Sequence, residues 1–141
     1  MARRSILFSP GDKPALMRKA PDTDADVVVF DLEDAVAPGT KAEARQEVAA
    51  VLDEIDPPCE VVVRVNPTGI AAADDLDVVL AGDPRLDAVM LPKVGDASDV
   101  DDLRALLRER DADLPIFALV ESAAGVLHAE AIAAADGTDA V

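Results

Sequence analysis

The chain has 141 residues, half of them hydrophobic, and its 13 Lys and Arg face 29 Asp and Glu for a formal charge of −16. That composition supplies a core and argues against wholesale disorder. It also argues against nucleic-acid and anionic-membrane partners, which need clustered Lys and Arg. With one cysteine (Cys59) and one histidine (His128), neither a disulfide framework nor a His/Cys zinc site is available.

Taken in chain order, short apolar runs alternate with helix-like stretches. Residues 5–9 (SILFS) predict a first strand, and 13–20 a short helix. Residues 26–32 (DVVVFDL) are β-branched on both faces, as expected of a buried parallel strand. The next stretch, 41–55, carries Ala44, Val48, Val51, Leu52 and Ile55 at helical spacing. Residues 60–65 (EVVVRV) predict the third strand and 71–81 a helix. The fourth strand is 88–91 (AVML), followed by a helix over 98–110 with Ser98 as N-cap and Val100, Leu103, Leu106 and Leu107 as its stripe. Residues 116–120 (IFALV) predict the fifth strand and 123–135 a helix, and 138–141 open a sixth strand. Phe8, Phe30 and Phe117 are read as core, Cys59 as an inert buried residue, and His128 as an ordinary helix residue. No run of about 18 apolar residues exists to span a membrane, no signal peptide is expected, and the default location is the cytoplasm.

The acids are dispersed rather than gathered in a tail: Asp outnumbers Glu by 21 to 8, and Lys is 4 against 9 Arg. A surface charged all over repels itself, and high salt screens that repulsion. A salt-rich cytosol is the expectation.

Five βα units and an opening strand fit either an open doubly wound sheet or the front of an eight-stranded α/β barrel. Both bind ligands at the carboxyl ends of the strands. Those ends read Ser9-Pro10-Gly11-Asp12-Lys13, Asp31-Leu32-Glu33-Asp34, Arg64-Val65-Asn66, Pro92-Lys93 and Glu121-Ser122. Solvated strand ends account for Asp12 or Asp34. Arg64 and Glu121 sit within or against their apolar runs, where an unpaired charge is costly. Rim carboxylates without a His or Cys cluster point to a hard oxygen-binding cation, Mg²⁺. An Arg beside them can hold a carboxylate or stabilise an oxyanion. Lys93 is either a substrate contact or an ion-paired strand end.

The segments RSILFSPG, DVVVFDLEDAVAPGTKAEAR, VVVRVN, MLPKV and ALVESAAGV, in this order, together resemble the HpcH/HpaI aldolase and citrate lyase β-subunit (CitE-like) family. The resemblance implies a (β/α)8 TIM barrel, of which this single domain, residues 1–141, covers about five βα units and the start of strand six. It implies a Mg²⁺-dependent carbon–carbon lyase acting on CoA thioesters of 3-hydroxy acids, of malyl-CoA, citramalyl-CoA or citryl thioester type. On that match Arg64 and Glu121 are the catalytic and substrate-binding residues, and Glu121 is the direct metal ligand. Glu33 and Asp34 lie near metal-bound water, and Arg4, Pro10, Gly11 and Lys13 near the CoA moiety. Assembly into a homotrimer or hexamer is implied too.

The family's second metal ligand is an Asp after the sixth strand, beyond Val141. The expectation is therefore an incomplete barrel that binds Mg²⁺ weakly, with an inactive remnant or partner-dependent half-barrel as the alternative. A (βα)5 signalling receiver fits less well, because SPG and RVN stand where that module carries its acids.

Overall fold

A computed structural model describes residues 2–141. The element order is β1 (Ile6–Pro10), α1 (Pro14–Lys19), β2 (Val27–Asp31), α2 (Lys41–Glu54), β3 (Glu60–Arg64), α3 (Ala72–Val79), β4 (Ala88–Leu91), α4 (Ala97–Arg108), β5 (Ile116–Ala118), α5 (Ala123–Leu127), α6 (Ala129–Ala134) and β6 (Thr138–Ala140). Short 3₁₀ turns follow α1 and precede α2. All six strands are parallel and lie in one sheet in sequence order.

That order separates the two architectures left open by the sequence. A doubly wound sheet reverses its strand order at a switch point and covers both faces with helices. Here nothing reverses, and right-handed crossovers then place every helix on one side. The packing agrees. Val28, Phe30, Val61, Val63, Val89 and Ile116 form one core with Met17, Val48, Leu52, Leu76, Leu103 and Ile132 of the helices. The opposite face carries a smaller cluster without a helical residue: Val27, Val29, Val62, Ala88, Met90 and Phe117. A singly wound sheet with helices outside and an apolar inner face is consistent with the opening six strands of a (β/α)8 barrel.

Three local expectations are corrected. The N-cap of α4 is Asp96, not Ser98: its carboxylate accepts from the Ser98 amide at 2.7 Å, and Asp99 reaches back to close a capping box. The helix after β5 is two helices, α5 and α6, meeting at His128. Phe30 and Phe117 are buried, but Phe8 is 43% exposed, because β1 has β2 on one side only among the described residues. Cys59 is buried and burial pushes its thiol pKa up, as an inert cysteine requires. Among the described residues no helix is long and apolar enough to cross a membrane.

Candidate active site at the carboxyl rim

Parallel register decides which side chains share the inner face. Asp31 pairs with Arg64 across β2 and β3, two steps beyond Val29 and Val62. Both therefore point inward at the top of the apolar face. Arg64 donates from Nε to Asp31 Oδ1 at 2.7 Å and from Nη2 to Asp31 Oδ2 at 2.6 Å. Asp31 is 1% exposed, and it also accepts from the Glu33 and Ala35 amides at 2.8 and 3.0 Å. One carboxylate thus orients the guanidinium and folds the loop after β2. The bond from Asp31 raises the Arg64 pKa above its usual value, against a desolvation that lowers it. Its Nη1 stands 3.5 Å from Glu33 Oε2, and its guanidinium lies 5.0 Å from the centre of the Phe8 ring.

The acids gather around this arginine. Glu33 is 4% exposed and pairs with the Lys93 ammonium, which also lies 3.4 Å from Asp34 Oδ1. Glu121, exposed at the end of the segment after β5, accepts from the Lys93 backbone amide at 2.9 Å. So Arg64, Glu33, Asp34 and Glu121 come to one rim, joined by Lys93. Pro10 ends β1, and Gly11 and Lys13 follow it at the same rim. Gly11 is explained by packing: its amide donates to the Asp31 carbonyl at 2.9 Å, and a Cβ there would stand 2.8 Å from that oxygen. Lys13 pairs with Asp12 at 3.2 Å.

Arg4 does not join them. It precedes β1 at the amino end of the strands and pairs with Asp26, which precedes β2, at 2.7 Å. A full strand separates Arg4 from the rim acids.

The loops are held from behind by residues outside the set proposed from sequence. Lys41 donates to the carbonyls of Leu32 and Glu33 at 2.7 and 2.8 Å. Arg45 pairs at 2.7 Å with Asp75, which is fully buried and accepts from the Asn66 amide at 2.6 Å. The Asn66 side-chain amide completes the tie at 3.0 Å to the Leu32 carbonyl. Beyond β5, Ser122 caps α5 through the Gly125 amide at 3.0 Å, and Gly125 packs so closely on the Val94 carbonyl that a Cβ would clash. His128 donates from Nδ1 to the Gly95 carbonyl at 2.8 Å. The Glu121 loop is thereby docked on the Lys93 loop.

The model of the HpcH/HpaI aldolase/citrate lyase family matches residues 4–141. The chain belongs to this family. It is 40% identical to an L-malyl-CoA/β-methylmalyl-CoA lyase of Cereibacter sphaeroides, an alignment covering 94% of this chain and 44% of that protein. A (3S)-malyl-CoA thioesterase of the same species is 37% identical over 93% of this chain and 45% of its own length. Protein CitE of Mycobacterium tuberculosis, solved with magnesium, acetoacetate and coenzyme A, superposes with a TM-score of 0.80 at 40% identity, covering 99% of this chain and 48% of CitE. The chain thus spans about half the length of these relatives.

Within the family motif DLEDAV…K…AR, the structure separates the parts. Glu33 and Asp34 face the rim, whereas Lys41 and Arg45 brace it from the helix layer. Asp31 was legible in principle, since it shares the inward parity of Val27 and Val29 and lies level with Arg64. Asn66 was legible at a strand end, but its bond to Asp75 was not, because it spans a loop whose path no periodicity reveals. Among the described residues no group of three or more His, Cys, Asp or Glu is assembled as a metal cage. The oxygen donors present still suit Mg²⁺, which takes one or two carboxylates and keeps several waters. Glu121 has Oε2 uncommitted, and Glu33 and Asp34 stand across the rim.

Proposed function

We propose that this chain carries the substrate arginine and a metal-binding glutamate of a Mg²⁺-dependent carbon–carbon lyase acting on CoA thioesters of 3-hydroxy acids. The observation that carries the reading is Arg64, held by buried Asp31 at the carboxyl rim beside Glu33 and Glu121. Bound Mg²⁺ supplies Lewis acidity toward the oxygens of the 2-oxo-acid portion. Glu121 would hold the ion, and Glu33 and Asp34 would face it across the rim. In the cleavage direction the 3-hydroxyl loses its proton and becomes a carbonyl. The carbon–carbon electron pair passes to the thioester fragment as an enolate, which takes up a proton. Arg64, fixed by Asp31 at Nε and Nη2, offers Nη1 to the developing oxyanion. Condensation reverses these movements. Pro10, Gly11 and Lys13 border the approach of the CoA moiety. Homo-oligomeric assembly and a salt-rich cytosol belong to the same reading, the latter supported by the charge of −16.

The test is turnover of malyl-CoA with Mg²⁺ in molar KCl, following the 2-oxo acid and free thiol separately. We expect 2-oxo acid without thiol, and a loss of about 10²–10³-fold in Arg64→Ala, the size found when a transition-state donor is removed. Glu121→Gln should lose activity and Mg²⁺ binding together. Thiol release without 2-oxo acid would instead mark thioester hydrolysis. A second reading is a chain without catalysis of its own, since it spans about half the length of its relatives. Absence of both products from a folded sample given malyl-CoA, citramalyl-CoA and a citryl thioester in turn would support it.

A further inference from the structure

Two non-glycine residues have a positive φ among the described residues: Asp111 at 54° and Lys93 at 56°. Asp111 has an ordinary reason, since it lies just past α4, where the Ala112 amide returns to the Leu107 carbonyl at 3.0 Å. Lys93 ends no helix. It follows Pro92 directly after β4, and backbone hydrogen bonds to the segment after β5 lie on either side of it. The Leu119 amide donates to Leu91 at 2.9 Å, and the Val94 amide to Leu119 at 3.3 Å. The left-handed residue lies between these two bonds, and its own amide donates instead to Glu121 Oε1 at 2.9 Å. A disfavoured conformation that survives outside a helix end is held by its surroundings, and such residues cluster at sites that need a fixed geometry.

We infer that Lys93 is a positioning residue: its left-handed backbone aims an amide at Glu121 and holds that carboxylate at the rim with one oxygen still open. The inference rests on the proposed role of Glu121 as a metal ligand. Its ammonium, paired with Glu33 and near Asp34, is a separate contribution. The backbone is isolated by two substitutions that both remove the ammonium. Lys93→Gly adopts the left-handed region freely, whereas Lys93→Val, being β-branched, resists it. The full chain and both variants would be titrated with Mn²⁺ alone by electron paramagnetic resonance, with melting curves to confirm folding. We expect Lys93→Val to bind at least tenfold more weakly than Lys93→Gly. Equal affinities in the two folded variants would overturn the inference.

Hydrogen exchange at the Lys93 amide supplies a readout that needs no metal and no Lys93 variant. It should accelerate at least tenfold when Glu121→Ala removes the acceptor, and unchanged exchange would overturn the inference. If wild type binds no Mn²⁺ while the amide accelerates as expected, the metal-ligand reading of Glu121 fails and the positioning by Lys93 stands.

Discussion

Asp31 and Arg64 are the clearest case of a residue pair whose value lies in its being complete. Asp31 is buried and Arg64 largely so, and removing one partner strips the other of its bidentate ion pair. Asp31→Ala should therefore destabilise the chain by about 3–5 kcal/mol in urea denaturation. Asp31→Ala combined with Arg64→Met should recover most of that loss, because no orphaned charge remains. A double variant as unstable as the single would show that the β2 loop, not the charge, depends on Asp31. The sequence placed Arg64 at this rim by its position within an apolar run. It did not single out Asp31, because "acid at a strand end" describes solvated and buried carboxylates alike. Only the register with β3 distinguishes them.

At the scale of elements, close backbone approaches decide how the loops sit. In an ordinary helix Ala is favoured over Gly by about 1 kcal/mol. At Gly125 of α5 the sign should reverse, since the added methyl meets the Val94 carbonyl, and overpacking costs about 1–3 kcal/mol. Gly125→Ala should lower the melting temperature and weaken Mn²⁺ binding, because Glu121 rides on the same loop. Unchanged binding would uncouple α5 from the site. The β1–β2 pair is tied at its other end by Arg4 and Asp26. The Arg4 guanidinium holds the Asp26 carboxyl below the usual carboxylate range, with further help from the Ser5 hydroxyl. A folded-state value below the unfolded one gives stability that is present above about pH 4 and lost as pH falls through the folded value. Wild type and Asp26→Asn should therefore differ in denaturation midpoint at about pH 6, with the gap closing toward lower pH. A gap that stayed constant on acidification would remove Asp26 from the acid-sensitive set.

For the whole molecule, charge is the governing quantity. All nine arginines already make an ion pair. The excess of 29 acids over 13 basic residues therefore cannot be relieved by rearranging partners inside the chain. Screening is the remaining route, and the Debye length falls from about 10 Å at 0.1 M salt to about 3 Å at 1 M. The melting temperature should rise steadily with KCl over that range. A flat or falling curve would remove the salt-rich cytosol from the proposal. The surface pairs themselves weaken in salt, but exposed pairs contribute about 1 kcal/mol or less each, so the collective repulsion should dominate.

Alternation of apolar runs with helical spacing, read from the residues alone, determined the βα repeat, the six strands and the rim on which chemistry would collect. It could do so because buried parallel strands need apolar side chains on both faces, and amphipathic helices need a stripe. The motif resemblance determined the family. Strand order, decided only in three dimensions, chose a singly wound sheet over a doubly wound one, because crossover handedness then puts all helices on one side. Tertiary structure alone paired Arg4 with Asp26, exposed Phe8, and joined Asp31 to Arg64 and Lys93 to Glu121. Those outcomes depend on register and backbone conformation, which relate residues far apart in the chain and leave no periodic trace in it.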